Sequence, residues 1–188
     1  VVGTAWAVSL MPLRVTDPEG TGFFSSIIRA LEYAVANGAD IVNISLAATV
    51  IPQAAVEAVD FALDAGLILV AAAGNGGLNV HFPAALPGVI AVGSHGAISE
   101  PDTRPLFSPS RAGVDLVAPG VDVFSTDVEP ISAVASYSSS TGTSFSAPFV
   151  TGAIALVLSL NPTATADEAM AVLREGAVAL PDEEGTPQ

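Results

Sequence analysis

A serine with small neighbours stands where a long apolar helix is expected to begin. The segment reads Gly142-Thr143-Ser144-Phe145-Ser146-Ala147-Pro148, and the helix is predicted from about Ser144 to Ser159. At the N-terminus of a helix, free backbone N–H groups and the positive end of the helix dipole favour a developing oxyanion. A serine at this position is also an ordinary helix cap. The segment alone therefore leaves Ser144 open as a nucleophile or as a cap.

An asparagine flanked by glycines follows a strongly apolar predicted strand. Gly74-Asn75-Gly76-Gly77 comes directly after residues 67–73. In open α/β sheets, functional groups gather beyond the carboxyl ends of the strands, so the Asn75 amide is a candidate hydrogen-bond donor to a substrate. The same residues also make an ordinary turn. A dinucleotide site is less well supported, because the third glycine and the acidic ribose partner of that fingerprint are missing.

Strands and helices are expected to alternate around these two segments. Helical spacing predicts helices from Ser25 to Asn37 and from Pro52 to Gly66, and apolar runs predict strands over 7–15, 40–45, 67–73 and 89–92. Strands that are joined by helices pair in parallel, and near-continuous apolar strands are buried on both faces. The predicted fold class is therefore α/β, with a doubly wound, mostly parallel sheet flanked by helices.

The second half of the chain is expected to be more irregular. Short strands are predicted over 114–118, 121–125 and 135–138, and a last helix is predicted to start at Thr165, with Glu168 completing a capping box. We expect one domain over residues 1–188, with an acidic and mobile tail at 181–188.

Composition excludes several classes of function. The chain has 19 acidic residues against five arginines, no lysine and no cysteine, and its formal net charge is −14. Nucleic acids need clustered basic residues and anionic membranes repel acidic proteins, so we expect neither as a partner. The absence of cysteine excludes disulfides, thiolate zinc sites and cysteine nucleophiles. We expect no membrane span, because the apolar run 67–73 is far shorter than the roughly 20 residues required.

Several motifs occur in an order that resembles the subtilisin-like serine proteases. The nucleophile signature of that family is matched by Gly142-Thr143-Ser144-x-Ser146-Ala147-Pro148-x-Val150-x-Gly152, and its oxyanion segment by Ala72-Ala73-Gly74-Asn75. Further matches are Asn37–Leu46, Phe82-Pro83-Ala84, Val89–Gly93 and Val117-Ala118-Pro119-Gly120. The resemblance is colinear from about Leu10 to Ala177, and it implies a subtilisin-like fold.

The resemblance implies a role for each residue of the site. Ser144 would attack the scissile carbonyl of a peptide, and the Asn75 side-chain amide with the Ser144 backbone N–H would hold the oxyanion. The substrate would bind in an extended conformation, as an added strand. The resemblance implies two backbone rails for the substrate, one formed by Ser45, Leu46 and Ala47 and the other by Gly20, Thr21 and Gly22. It also implies an apolar subsite formed by Phe24, Ile27 and Leu46. The specificity pocket would be formed by Ala71, Ala72, Ala73 and Gly74.

The catalytic triad of the family is incomplete in these residues. Neither the Asp-Thr/Ser-Gly motif nor the His-Gly-Thr-His motif occurs in the 188 residues. The resemblance places His81 beside the specificity pocket and His95 on a surface loop, so neither is expected to act as the base. Asp17 and Asp40 are expected to be structural. We therefore expect an excised or processed piece, truncated at its N-terminus and inactive by itself.

Two other interpretations stay open beside that of an endopeptidase. A pseudoprotease would hold extended peptides without cutting them, and an excised structural fragment would bind no ligand. A truncated chain is also expected to pair with a missing N-terminal segment or to associate with itself. Family habit implies calcium, and secretion or the cell envelope. No loop shows a clear spacing of calcium ligands, so the metal stays unknown and no cofactor is expected.

Overall fold

A parallel sheet with helices on both faces forms the centre of the molecule. The computed structural model describes residues 3–96, 103–109, 113–128 and 134–179. Its four parallel strands lie in the order β1-β2-β3-β4, with β1 at Ile41–Ile44, β2 at Ile68–Ala72, β3 at Ile90–His95 and β4 at Leu116–Pro119. The helices are α1 (Phe24–Ala36), α2 (Gln53–Asp64), α3 (Thr143–Leu160) and α4 (Ala166–Gly176). Strands β5 (Val123–Val128) and β6 (Ala135–Ser140) pair as an antiparallel hairpin.

Strand β2 shows why the sheet needs helices on both faces. All five of its residues are buried. Leu69 and Ala71 belong to the hydrophobic cluster that α1 and α2 complete, whereas Val70 and Ala72 belong to the cluster that α3 and α4 complete. Side chains alternate between the faces of a strand, so a continuous apolar strand buries both faces only between two layers of helices. The predicted α/β class, a parallel sheet flanked by helices, is confirmed.

The helix ends follow the local sequence. Thr165 caps α4: its hydroxyl accepts the Glu168 backbone N–H at 3.3 Å, and the Glu168 carboxylate accepts the Thr165 N–H at 2.9 Å. The predicted capping box is therefore confirmed.

In the middle of α3, a Cβ on Gly152 would lie 2.6 Å from the Cβ of Thr4, so the chain near residue 4 crosses α3 where that helix has no side chain.

The strand predicted over residues 7–15 is wrong. Within the described residues this segment is irregular, and only the following Thr16 forms a bridge, to Gly22. Leu10 is 85% exposed, so its apolar side chain has no layer to pack against. An apolar run forms a strand only when a neighbouring strand takes its backbone hydrogen bonds. The tail predicted at 181–188 lies outside the described residues.

Helix α3 is the one described helix that is long and apolar enough to cross a membrane, with a mean hydropathy of 1.6 over Thr143–Leu160. It packs on the sheet through Ala147, Val150 and Ile154, all of them buried. A core helix passes the same test of length and composition, so this feature is weak support for a span.

Candidate active site

The turn that leads into α3 is built around a glycine. Gly142 has φ +150°, a region that favours glycine, and its N–H donates to the Gly120 carbonyl at 2.8 Å. Ser144 is the second residue of α3, and the helix has no side-chain cap. The interpretation of Ser144 as a simple helix cap is therefore wrong, and its hydroxyl is left for other contacts.

A buried threonine fixes the orientation of the Asn75 side chain. The Asn75 Oδ1 accepts two hydrogen bonds of 3.0 Å, one from the Thr143 backbone N–H and one from the Thr143 hydroxyl. The Thr143 Oγ1 in turn accepts the Gly74 N–H at 3.1 Å. Because Oδ1 is held by these donors, the NH₂ group of Asn75 points away from Thr143 and remains able to donate.

The Asn75 amide therefore stands beside the first turn of α3. A Cβ on Gly142 would lie 3.1 Å from the Asn75 Nδ2, so the absence of a side chain there lets the two segments approach. The sequence motifs did not indicate Thr143 as a site residue, although it stands between Gly142 and Ser144. Its partners Gly74 and Asn75 lie 69 and 68 residues away in the chain, and only the fold reveals them.

The Ser144 hydroxyl contacts the end of β1. It donates to the Ser45 carbonyl at 3.2 Å, and the Ser45 hydroxyl donates to the Ser144 carbonyl at 2.8 Å. A backbone carbonyl accepts a hydrogen bond but does not take up a proton. In the described part of the chain, the Ser144 hydroxyl is therefore positioned by Ser45 rather than activated by a base.

A groove of about 220 Å³ lies between the two predicted rails. Six of the predicted substrate-binding residues line the groove: Gly20, Gly22, Phe24, Ile27, Leu46 and Ala47. Four further residues complete its lining: Ile44, Ala48, Phe82 and Pro83. Thr21 and Ser45 do not line it. The Phe24 and Phe82 rings meet edge to face, with centroids 5.9 Å apart, so one end of the groove is aromatic.

The Gly20–Gly22 loop is held in shape by Asp17. The Asp17 Oδ1 accepts the Thr21 N–H at 2.7 Å, and the Asp17 N–H donates to the Thr21 carbonyl at 3.0 Å. These bonds take up the backbone groups of Thr21. Within the described residues, the carbonyl of Gly20 and both backbone groups of Gly22 remain available to an incoming strand.

The four residues predicted to wall the specificity pocket lie at the end of β2. Ala71, Ala72 and Ala73 are each at most 1% exposed, backbone included, so they present almost no surface to a ligand. Beside them, the His81 ring covers Gly74: a Cβ on Gly74, at φ +101°, would lie 2.8 Å from the His81 Nδ1. The His81 imidazole therefore packs against Gly74, whose N–H donates to the Thr143 hydroxyl.

His95 is not on a surface loop, as the resemblance implied. It is the last residue of β3, and its Nδ1 is buried without a hydrogen-bond partner in the described structure. Its backbone pairs with β4, opposite Pro119, so His95 belongs to the sheet and is partly buried.

The described residues contain no group of three His, Cys, Asp or Glu side chains that could hold a metal ion. This part of the chain therefore offers no cluster of carboxylates for the calcium that family habit implies, and calcium enters no step below.

Comparison with known proteins agrees with the motifs. The model of the Peptidase_S8, or subtilase, family matches residues 1–187. The chain is 38% identical over 187 residues to Subtilisin DY from Bacillus licheniformis, covering 97% of this chain and 65% of that protein. It is 41% identical over 165 residues to Subtilisin Savinase from Lederbergia lenta, covering 87% of this chain and 58% of that protein.

Solved structures give the same result. A protease from Pseudoalteromonas arctica has a TM-score of 0.86 at 29% identity, covering 96% of this chain and 59% of that one. A cold-adapted subtilisin-like serine proteinase has a TM-score of 0.74 at 29% identity, covering 86% of this chain and 57% of that one. The chain thus spans less than two thirds of the length of the relatives that it matches.

Proposed function

The chain belongs to the subtilase family, and from that membership we propose that it supplies the nucleophile, the oxyanion hole and the substrate rails of a serine endopeptidase. The observation that carries the proposal is the orientation of Asn75. Thr143 holds its carbonyl oxygen, so its amide N–H groups stand beside the N-terminus of α3 and near Ser144. Helix N-termini and fixed amide donors are the groups that stabilise a developing oxyanion.

The chemical step follows from these positions. A bond forms between the Ser144 Oγ and the carbonyl carbon of the peptide while a base takes the hydroxyl proton, and the carbonyl π electrons move onto oxygen. The Asn75 amide and the Ser144 backbone N–H donate to that oxygen. Collapse of the tetrahedral intermediate breaks the C–N bond, and the protonated base gives its proton to the departing amine. Water then hydrolyses the ester of the acyl-enzyme, which releases the carboxylic acid and restores the Ser144 hydroxyl.

Free backbone groups support an extended peptide as the substrate. Leu46 and Ala47 make no backbone hydrogen bond in the described structure, and Gly22 offers both of its backbone groups across the groove. A peptide strand laid between them would gain backbone hydrogen bonds on both sides. The apolar lining from Phe24, Ile27 and Leu46 favours an apolar side chain some residues before the cleaved bond.

The proton of Ser144 needs a base that these residues do not provide. Neither family motif for Asp or His occurs in the sequence, and the Ser144 hydroxyl donates to a carbonyl. We propose that another segment or chain supplies the Asp–His pair, and that the 188 residues alone are inactive. In subtilisin, itself a family member, loss of the triad histidine costs about 10⁶ in turnover. Family habit supports secretion or the cell envelope as the compartment.

A fluorophosphonate probe tests the proposal. The probe reacts with a serine whose proton a base removes, and intact mass counts the adducts. Ser144→Ala should abolish any labelling, whereas Ser159→Ala, which removes an exposed serine from the same helix, should leave it unchanged. We expect negligible labelling of the isolated chain, and labelling at Ser144 once the Asp–His pair is supplied.

A binding measurement separates the alternatives. Isothermal titration with an extended apolar peptide should show binding that Leu46→Asp weakens. Binding without labelling, even with the Asp–His pair supplied, would support the peptide-binding pseudoprotease. A folded chain that neither binds nor reacts would leave only the structural fragment.

A further inference from the structure

A chain of hydrogen bonds links the edge of β1 to the nucleophile turn. The Thr151 hydroxyl lies 3.0 Å from the Asn43 Oδ1, and the Asn43 Nδ2 donates to the Ser45 hydroxyl at 3.0 Å. The Ser45 hydroxyl donates to the Ser144 carbonyl at 2.8 Å, and the Ser144 hydroxyl donates back to the Ser45 carbonyl at 3.2 Å. We call these four residues the Asn43 relay.

A proline explains why the Ser144 carbonyl is free to join the Asn43 relay. In an α-helix this carbonyl would accept the N–H of residue 148, but Pro148 has no N–H. The Ser45 hydroxyl takes its place at 2.8 Å. The Ser144 carbonyl in the first turn of α3 thus accepts its hydrogen bond from Ser45, directly after β1, instead of from its own helix.

We propose that Asn43 is a positioning residue that couples the Ser45–Ala47 rail to Ser144. The Ser45 hydroxyl has one proton, and it can aim that proton at Ser144 because the Asn43 amide occupies its acceptor side. The Asn43 Oδ1 lies 3.0 Å from the Thr151 hydroxyl on α3, which shares its one proton between this oxygen and the Ala147 carbonyl, also 3.0 Å away. Asn43 therefore ties β1 to α3 at two points and keeps the rail in register with the nucleophile.

This inference rests on the proposed function, in which the rail carries the substrate. A peptide laid on Ser45, Leu46 and Ala47 presents its carbonyl to Ser144 only if the rail and the nucleophile turn keep their spacing. A misplacement of about 1 Å can cost a hundredfold in rate. A small probe that does not touch the rail has no such requirement.

The test compares two probes on Asn43→Ala, with the Asp–His pair supplied as above. One is a small alkyl fluorophosphonate, and the other is a phosphonate carried by an extended apolar peptide. The ratio of their second-order labelling rates measures the coupling of the rail to Ser144. We expect Asn43→Ala to lower the ratio of peptidyl to alkyl rates by about fivefold, the factor to which the typical net contribution of one hydrogen bond corresponds.

Two further variants act as controls. Asn37→Ala removes another exposed asparagine with one side-chain hydrogen bond, from its Nδ2 to the Tyr33 carbonyl at 2.8 Å, and should leave the ratio unchanged. Asn43→Asp keeps an acceptor for Thr151 but loses the donor to Ser45, so it should lower the ratio as Asn43→Ala does. Equal loss of both rates in Asn43→Ala would mean a merely structural role and would overturn the inference.

A second readout does not depend on reactivity. In protein labelled with ¹³C-serine, three-bond couplings report the side-chain rotamer of Ser144, assigned with Ser144→Ala. We expect one rotamer in the parent chain and in Asn37→Ala, and averaging in Asn43→Ala. If neither probe reacts with the parent chain supplied with the Asp–His pair, the proposed function fails. The rotamer then still tests the inference, because an unaveraged rotamer in folded Asn43→Ala would overturn it.

Discussion

Thr143 is the residue on which the geometry of the candidate oxyanion hole depends. It is fully buried, and its hydroxyl joins the Gly74 N–H to the Asn75 Oδ1. Replacement by valine keeps the shape but leaves both partners without the hydroxyl. An unsatisfied buried group costs about 1–3 kcal/mol, so we expect Thr143→Val to lower the free energy of unfolding by that amount.

Urea unfolding of Thr143→Val and Thr143→Ser measures this cost. The serine variant keeps the hydroxyl and should recover most of the stability. Equal stability of the parent chain and the valine variant would show that water replaces the hydroxyl and that Asn75 is held in another way.

Asn75 should matter to reactivity more than to stability. Its side chain is exposed apart from the two bonds to Thr143, whereas its amide is a proposed oxyanion donor. In the chain supplied with Asp and His, we expect Asn75→Ala to lower turnover about a hundred- to thousandfold, the magnitude that mutagenesis gave for the corresponding asparagine of subtilisin, a relative. A loss below tenfold with an intact fold would remove Asn75 from the oxyanion hole.

At the scale of single residues, the sequence pointed to Ser144 and Asn75 but not to their supports. Ser144 and Asn75 stand in contiguous motifs with unusual local composition. Thr143 holds Asn75, 68 residues away, and Asn43 contacts Thr151, 108 residues away, and no local pattern encodes such contacts. Contacts with distant residues decide the role of these side chains, and such contacts come from the fold.

At the scale of elements, Gly120 allows β4 and α3 to meet. Its carbonyl accepts the Gly142 N–H, and a Cβ at this position would overlap the hydroxyls of Ser94 and Ser146. Both serines are fully buried, so neither can move into solvent. We expect Gly120→Ala to destabilise the fold by roughly 1–3 kcal/mol, as overpacking of a core does.

Thermal unfolding by calorimetry checks this prediction, with Gly176→Ala as the matched control. A Cβ on Gly176, at the end of α4, meets nothing within 4 Å, so this variant should be neutral or slightly stabilised. Adding Ser146→Ala to Gly120→Ala should restore part of the loss. No destabilisation in Gly120→Ala would mean that the approach of β4 to α3 is looser than the structure shows.

The β5–β6 hairpin carries a titrating group of its own. Hydrogen bonds from the Ser138 hydroxyl and from the Val128 N–H, each 2.7 Å long, lower the pKa of Asp127 below its ordinary value of 3.8. Because the folded-state pKa is lowered, the ionised carboxylate stabilises the hairpin at pH values above the ordinary pKa. Its support is lost as the pH falls through the lowered pKa. NMR titration should show Ser138→Ala raising the pKa of Asp127, and Ser139→Ala, on the other face of β6, leaving it unchanged.

Elements with strong local signals could be predicted, and those that depend on a neighbour could not. The capping box of Thr165 and Glu168 lies within four residues, so the start of α4 could be predicted from the sequence. Residues 7–15 have the composition of a strand but no adjacent strand in the described part of the chain, and they stay irregular. The separation of β2 into two faces was implied by its continuous apolar residues.

At the scale of the whole molecule, charge is the dominant surface property. The formal net charge is −14, from 19 acidic residues against five basic ones. Arg174 pairs with Asp115 at 2.8 Å, but this pair is largely exposed and adds little stability. Most carboxylates therefore repel one another in the folded chain, and this repulsion falls when the chain expands on unfolding.

Salt should therefore stabilise this protein. The Debye length falls from about 10 Å at 0.1 M salt to about 3 Å at 1 M, which screens repulsion between exposed carboxylates more than it weakens buried contacts. We expect the free energy of unfolding to rise steadily between these NaCl concentrations, measured by urea titration. Chloride is used because sulfate would also strengthen the burial of apolar surface. A parallel titration with sucrose, which does not screen charge, distinguishes charge screening from stronger burial of apolar surface at matched osmolality. A flat or falling response in NaCl would mean that attractive pairs such as Arg174–Asp115 outweigh the net charge.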